Sequence, residues 1–208
     1  MQYLDSMQIA GIFSALGLSG AAGLNAYVPL LLVAVLARFG VVSLTQPYDV
    51  IASTWAIVVI SILLVIEVIV DKVPGADHIN DLVQTFVRPT AGAVLFAASS
   101  GVIGDAHPAV FLIAGLMIAF GVHAAKTTAR PVVNMTTFGV GAPVVSTIED
   151  VAALGTSLLA VFAPFVVGVA VLLFVVAVIW VIRARRAKAR SARRATPVGP
   201  REAKTNTQ

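Results

Sequence analysis

Long uncharged runs alternate with short polar interruptions along the whole chain. Residues 6–37 carry no charged side chain. A helix needs about 20 apolar residues to cross roughly 30 Å of hydrocarbon, at about 1.5 Å per residue. This run is too long for one upright helix. Its middle reads GLSGAAGLNAYVPLLL and holds Gly17, Gly20, Gly23 and Pro29. That pattern predicts a broken or strongly kinked segment. Residues 50–66 form a second uncharged run, closed by Glu67 and Asp71. Residues 71–88 are polar, contain Pro74 and Gly75, and predict a loop or a short amphipathic helix. A short third span is expected at 90–104, a GDAHP turn at 104–108 and a fourth span at 109–125.

Residues 126–150 are apolar on average but rich in Thr, Gly and Pro. This mixture predicts a re-entrant or discontinuous helix. Residues 151–182 are again uncharged and interrupted at Pro164; residues 165–182 alone are the cleanest spanning signal in the chain. The expected fold is therefore all-α and polytopic, with about five to six transmembrane helices plus irregular elements. Its organisation is an N-terminal segment 1–8, a membrane-embedded domain 9–182 and a basic tail 183–208 without apolar periodicity, for which disorder is expected.

Composition supports the membrane assignment. Hydrophobic residues make up 59% and charged residues 12% of the 208, against about 45–50% and about 25% in soluble domains. The formal net charge of +4 and pI near 9.9 at first suggest nucleic acid. The distribution removes that reading. Residues 183–208 hold nine bases and one acid, a net +8, and residues 1–182 hold five bases and nine acids, a net −4. Juxtamembrane Lys and Arg favour the cytoplasmic side, so the C-terminus is expected inside. A basic tail also attracts anionic lipid. The N-terminal MQYLDSMQ has no base, so the first apolar segment is expected to remain in the protein rather than act as a cleaved signal. The chain has no cysteine, which excludes disulfides and thiolate chemistry.

Candidate chemistry lies at the interruptions. Backbone groups in lipid must be satisfied internally, and an intrahelical proline frees the carbonyl four residues back. For Pro29, Pro89, Pro131 and Pro143 those carbonyls belong to Asn25, Thr85, Thr127 and Gly139. QTFVRP (84–89) and KTTARP (126–131) share T-x-x-R-P, which suggests an internal repeat. A residue before proline is driven out of the α region, and proline suits the first helical position. Arg88 and Arg130 would then flank helix N-termini, where unpaired N–H groups also favour anions. With Asn25, Thr85 and Thr127 they form a candidate anion site. The alternative partners for both arginines are carboxylates of the same chain.

Glu67 and Asp71 stand four residues apart, on one side of a continued helix. Ionisable groups at a span edge face a cavity or a partner. Glu67, Asp71, Glu149, Asp150 and His123 are accordingly candidates for proton or cation coupling. Asp77, His78 and Asp81 are weak metal candidates, since their spacing matches no established metal motif. HExxH, GxSxG and Walker A motifs are absent from the sequence, and no cofactor is expected.

GLNAYVPLLL (23–32), EVIVDKVPGADHINDLVQTFVRPTAGAVL (67–95) and TTARPVVN (127–134) resemble the bacterial membrane family known as domain of unknown function 4126. The resemblance covers most of residues 10–165. It implies a polytopic helical membrane domain and no particular activity. It marks Asn25, Pro29, Glu67, Asp71, Lys72, Pro74, Asp77, Arg88 and Pro89 as family-like positions. The functional expectation is a plasma-membrane permease or lipid-headgroup translocase for an anionic small molecule or lipid, coupled to protons or cations. A non-catalytic scaffold that packs partner helices through Gly17, Gly20 and Gly23 is the alternative; a homo-oligomer is a separate expectation. An intramembrane lipid-modifying enzyme is a third. Membrane lipids are the expected partners, and nucleic acid is not one.

Overall fold

The structure, a computed structural model, describes residues 2–71, 77–99, 107–137 and 141–195. Among them are seven α-helices and one short 3-10 helix, and no strand. The helices are α1 (Gln2–Leu24), α2 (Tyr27–Arg38), α3 (Thr54–Val70), α4 (Asp77–Ala98), α5 (Pro108–Thr137), α6 (Gly141–Phe162) and α7 (Pro164–Ala195). Four stretches are long and apolar enough to cross a membrane: Ser6–Leu24, Pro108–Ala129, Pro143–Phe162 and Pro164–Ala184. Tyr27–Arg38, Thr54–Val70 and Leu82–Ala98 are shorter apolar helices. The chain divides into two units, Met1–Gly168 and Val169–Gln208.

The first long run is broken as its glycines and proline predict, but at Asn25 rather than at Pro29. The Asn25 N–H still donates to the Ala21 carbonyl at 3.0 Å, completing α1. Its side-chain Oδ1 then accepts from the N–H groups of Tyr27 (3.0 Å) and Val28 (3.1 Å), the capping pattern of an Asx residue. Pro29 falls in the first turn of α2, where a missing N–H costs no hydrogen bond. At the far end of α2, Gly40 takes φ +73°. The N–H of Val41 reaches Leu36 O at 2.9 Å and that of Gly40 reaches Ala37 O at 3.0 Å. This is a Schellman closure, and its left-handed residue favours glycine. Ser53 caps α3 by accepting from Ala56 N at 3.2 Å, and Pro164 opens α7 in the position proline prefers.

The structure departs from the sequence expectations in the placing of helix boundaries. Residues 90–98 of the span expected at 90–104 are the second half of α4, which starts at Asp77 and runs through Pro89 without a break; residues 100–104 lie outside the described residues. Of the residues expected as a loop or a short amphipathic helix, those from Asp77 onward are helical, with Gln84 and Arg88 buried. The re-entrant or discontinuous helix expected at 126–150 is divided between two helices. It is the end of α5, continuous through Arg130 and Pro131, and the start of α6; residues 138–140 between them lie outside the described residues. Arg88 and Arg130 are therefore in helix interiors, not at helix N-termini. The basic tail is helical as far as Ala195, and residues 196–208 lie outside the described residues.

In the unit Met1–Gly168, α1 packs against α4, α5 and α6, and α4 lies closest to α5. Small residues permit this. A Cβ on Gly23 would stand 2.6 Å from the Ala119 carbonyl oxygen and 2.6 Å from Val122 Cβ. One on Gly17 would stand 2.7 Å from Ala160 Cβ. Both glycines are thus occupied by helices of the same chain. Gly92 and Gly115 bring α4 and α5 into backbone contact, and Ser19 Oγ donates to Gly92 O at 2.9 Å from α1. Close backbone approach and interhelical hydrogen bonds are how helices associate in lipid, where apolar burial offers little drive. In the unit Val169–Gln208, Leu172, Leu173, Phe174 and Trp180 are exposed, as in a lipid-facing helix.

Candidate functional site

Breaking α1 from α2 leaves carbonyls at one helix end and N–H groups at the start of the next. The side chains that satisfy them open a chain of polar contacts through the interior. Asn25 caps α2, and its Nδ2 donates to Asp150 Oδ1 at 2.8 Å. Lys126 Nζ donates to Leu24 O at 3.1 Å, placing a cation at the negative end of α1. The same ammonium pairs with Glu149 Oε2 at 2.7 Å. Glu149 and Asp150, neighbours on α6, thus hold the two sides of the break through different partners.

The second part of the site joins α3, α4 and α5. Arg88 Nη2 donates to Glu67 Oε1 at 2.9 Å, with both side chains 1% exposed. Arg88 Nη1 lies 3.5 Å from His123 Nδ1, and His123 Nε2 lies 3.1 Å from Thr85 Oγ1. A guanidinium has only donors, so Nδ1 is the accepting nitrogen and Nε2–H donates to Thr85. Asp71 Oδ2 accepts from Ser146 Oγ at 2.9 Å, from α6. Tyr27 and Gln84 are also buried. Glu67 Oε2, Arg88 Nε and Gln84 Oε1 are buried without a hydrogen-bond partner among the described residues.

The sequence-derived coupling set is gathered here: Glu67, Asp71, His123, Glu149 and Asp150 all line this polar interior. The anion set is placed differently. Arg88 is wholly buried and paired, Thr85 is turned to His123, and Asn25 is taken by the cap and Asp150. Thr127 Oγ1 bonds back to His123 O and Ala124 O, each at 3.1 Å. The side chains of Arg130, Asp77, His78 and Asp81 lie outside the described ones. Among the described residues no group of three His, Asp or Glu side chains forms a metal site.

Lys126, Ser146, Gln84 and Tyr27 are additions that the structure makes to the sequence-derived set. Helical spacing holds the signal for two of them. Lys126 follows His123 by three residues, and Ser146 precedes Glu149 by three, so each shares a helix face with a candidate.

No curated protein matches the chain, and no solved structure matches it. Apolar helices surround a buried polar interior built on GLNAYVP, the EVIVD end of α3 and the FVRP centre of α4. The family whose sequence model matches residues 12–184 takes in all of those segments, and the chain belongs to it: domain of unknown function 4126.

Proposed function

We propose that this protein is a small permease or lipid-headgroup translocase that moves an anionic group together with a proton. The observation that carries this reading is the Glu67–Arg88 pair, buried to 1% exposure on both sides. Ionisable groups inside a membrane domain are costly, and their use is characteristically in ion and substrate pathways. A broken helix beside them is the usual setting of such sites.

The pair supplies a balanced cycle. Protonation of Glu67 leaves Arg88 as an uncompensated buried cation. An anionic group reaching the guanidinium restores neutrality, and loss of the proton returns Arg88 to Glu67 and releases the anion. One proton and one negative charge move together. Arg130 is the second anion ligand of this scheme, and Asp71, His123, Glu149 and Asp150 shape the field around the exchange. In the same reading α1 and α3 to α7 make six crossings. With 12 residues, α2 spans only about 18 Å at 1.5 Å per residue and is re-entrant. The membrane is the bacterial inner membrane, with the Arg-rich tail in the cytoplasm.

Purified protein should be thermally stabilised by a phosphorylated lipid or an organic anion, more strongly at acid pH. Arg88→Ala should abolish the shift. In Glu67→Gln the shift should persist and no longer depend on pH. Absence of any shift across a broad anion and lipid panel would overturn the proposal.

A further inference from the structure

The first helix ends inside the protein. Leu24 is the last residue of α1, and Asn25, next to it, is buried. A helix C-terminus carries about half a negative charge on carbonyls that have no intrahelical donor. Two oxygens converge on Lys126 Nζ there, Leu24 O at 3.1 Å and Glu149 Oε2 at 2.7 Å. The Lys126 and Glu149 side chains are 3% and 13% exposed, so the three groups meet away from solvent. A helix end and a carboxylate gathered at a break are the kind of ligands with which membrane proteins hold sodium. Here the point between them is occupied by an ammonium of the chain itself, from α5.

We propose that the break between α1 and α2 is a monovalent-cation site whose resident cation is the Lys126 ammonium. An ammonium is a compact point charge with donors only, so it serves carbonyl and carboxylate oxygens as a small metal cation does. Because it is tethered, it acts at a high effective concentration, and free cations in solution do not displace it. The native protein is therefore indifferent to which monovalent cation surrounds it. Once the amine is removed, Leu24 O and Glu149 are left to a free cation of the same charge. The site uses neither Glu67 nor Arg88, so its failure would leave the anion exchange standing, and the reverse.

The test is thermal unfolding of the full-length protein in detergent, in sodium chloride and in choline chloride at equal ionic strength. Choline is too large to enter between the two oxygens and controls for screening. The native protein should melt alike in the two salts. Lys126→Ala should melt higher in sodium than in choline by about 3–5 °C, the shift for a site at roughly ten times its Kd. Adding Glu149→Gln to Lys126→Ala should abolish that difference. A difference no larger in Lys126→Ala than in the native protein would overturn the proposal, leaving an ion pair and no cation site. The same difference with and without Glu149→Gln would place the sodium elsewhere and overturn it too. Failure to recover folded Lys126→Ala in sodium would count equally against it, since sodium is expected to take the place of the ammonium.

Discussion

Lys126 closes the end of α1 from a position 102 residues away, its Nζ 3.1 Å from Leu24 O and 2.7 Å from Glu149 Oε2. One side chain thus satisfies a backbone group freed by the helix break and neutralises a carboxylate of α6. Lys126→Met should lower stability by about 3 kcal/mol, the low end for stranding one member of a buried pair. Lys126→Arg should keep most of it. Thermal unfolding in detergent would measure both. Equal stability of the Met and Arg variants would show that the contact contributes little.

The Glu67–Arg88 pair is more deeply buried, and its two halves should behave non-additively. Glu67→Ala or Arg88→Ala alone should each cost about 3–5 kcal/mol, because a lone charge is left inside. The double variant should cost less than the sum of the singles, since no charge is stranded. A double-mutant cycle of unfolding free energies gives the coupling. Additive effects would mean that water already reaches both groups.

Much of this arrangement is legible in the sequence, and the reason differs from element to element. Glycines and a proline mark the break near Asn25, because they interrupt an uncharged run too long for one helix. The carboxylates stand out because charge is rare in these helices. For Arg88 the sequence leaves two partners open, a carboxylate of the chain or a ligand. Nothing local chooses between them, since Glu67 is 21 residues away. Arg-Pro misleads in the one respect that depends on tertiary packing. The local preference against α before proline is overridden in α4, where Thr85, the residue whose carbonyl Pro89 frees, is braced by His123 of α5. Lys126 is silent in the sequence because its meaning lies in a carbonyl of another helix.

Asn25 has two tasks with opposite electrostatic demands. Its Oδ1 caps α2 and its Nδ2 donates to Asp150. Asn25→Ala should lose the cap, about 1 kcal/mol, together with the Asp150 hydrogen bond. Asn25→Asp keeps the capping oxygen but sets a second carboxylate against Asp150. It should be the worse of the two near neutral pH. Adding Asp150→Asn to Asn25→Asp should recover stability, because the donor and acceptor then exchange sides. Melting temperatures of the three variants test the order. Failure of the double variant to exceed Asn25→Asp would remove Asp150 from the cap.

Packing between α4 and α5 gives a prediction free of charge. At Gly115 a Cβ would meet Phe96 Cβ at 2.6 Å and Ala93 Cα at 2.9 Å, with the Gly92 carbonyl also in the way. Backbone and Cβ atoms cannot rotate aside, so Gly115→Ala must push the helices apart. Overpacking of this kind costs about 1–3 kcal/mol. Gly121 lies on the same helix, and a methyl group added there would have nothing within 4 Å. The clash of Gly115 is absent at that position, and Ala is the better helix former by about 0.5–1 kcal/mol. Gly121→Ala should therefore leave the melting temperature unchanged or raise it, while Gly115→Ala lowers it. Equal responses at the two positions would mean that α4 and α5 do not approach as closely as Gly92 and Gly115 allow.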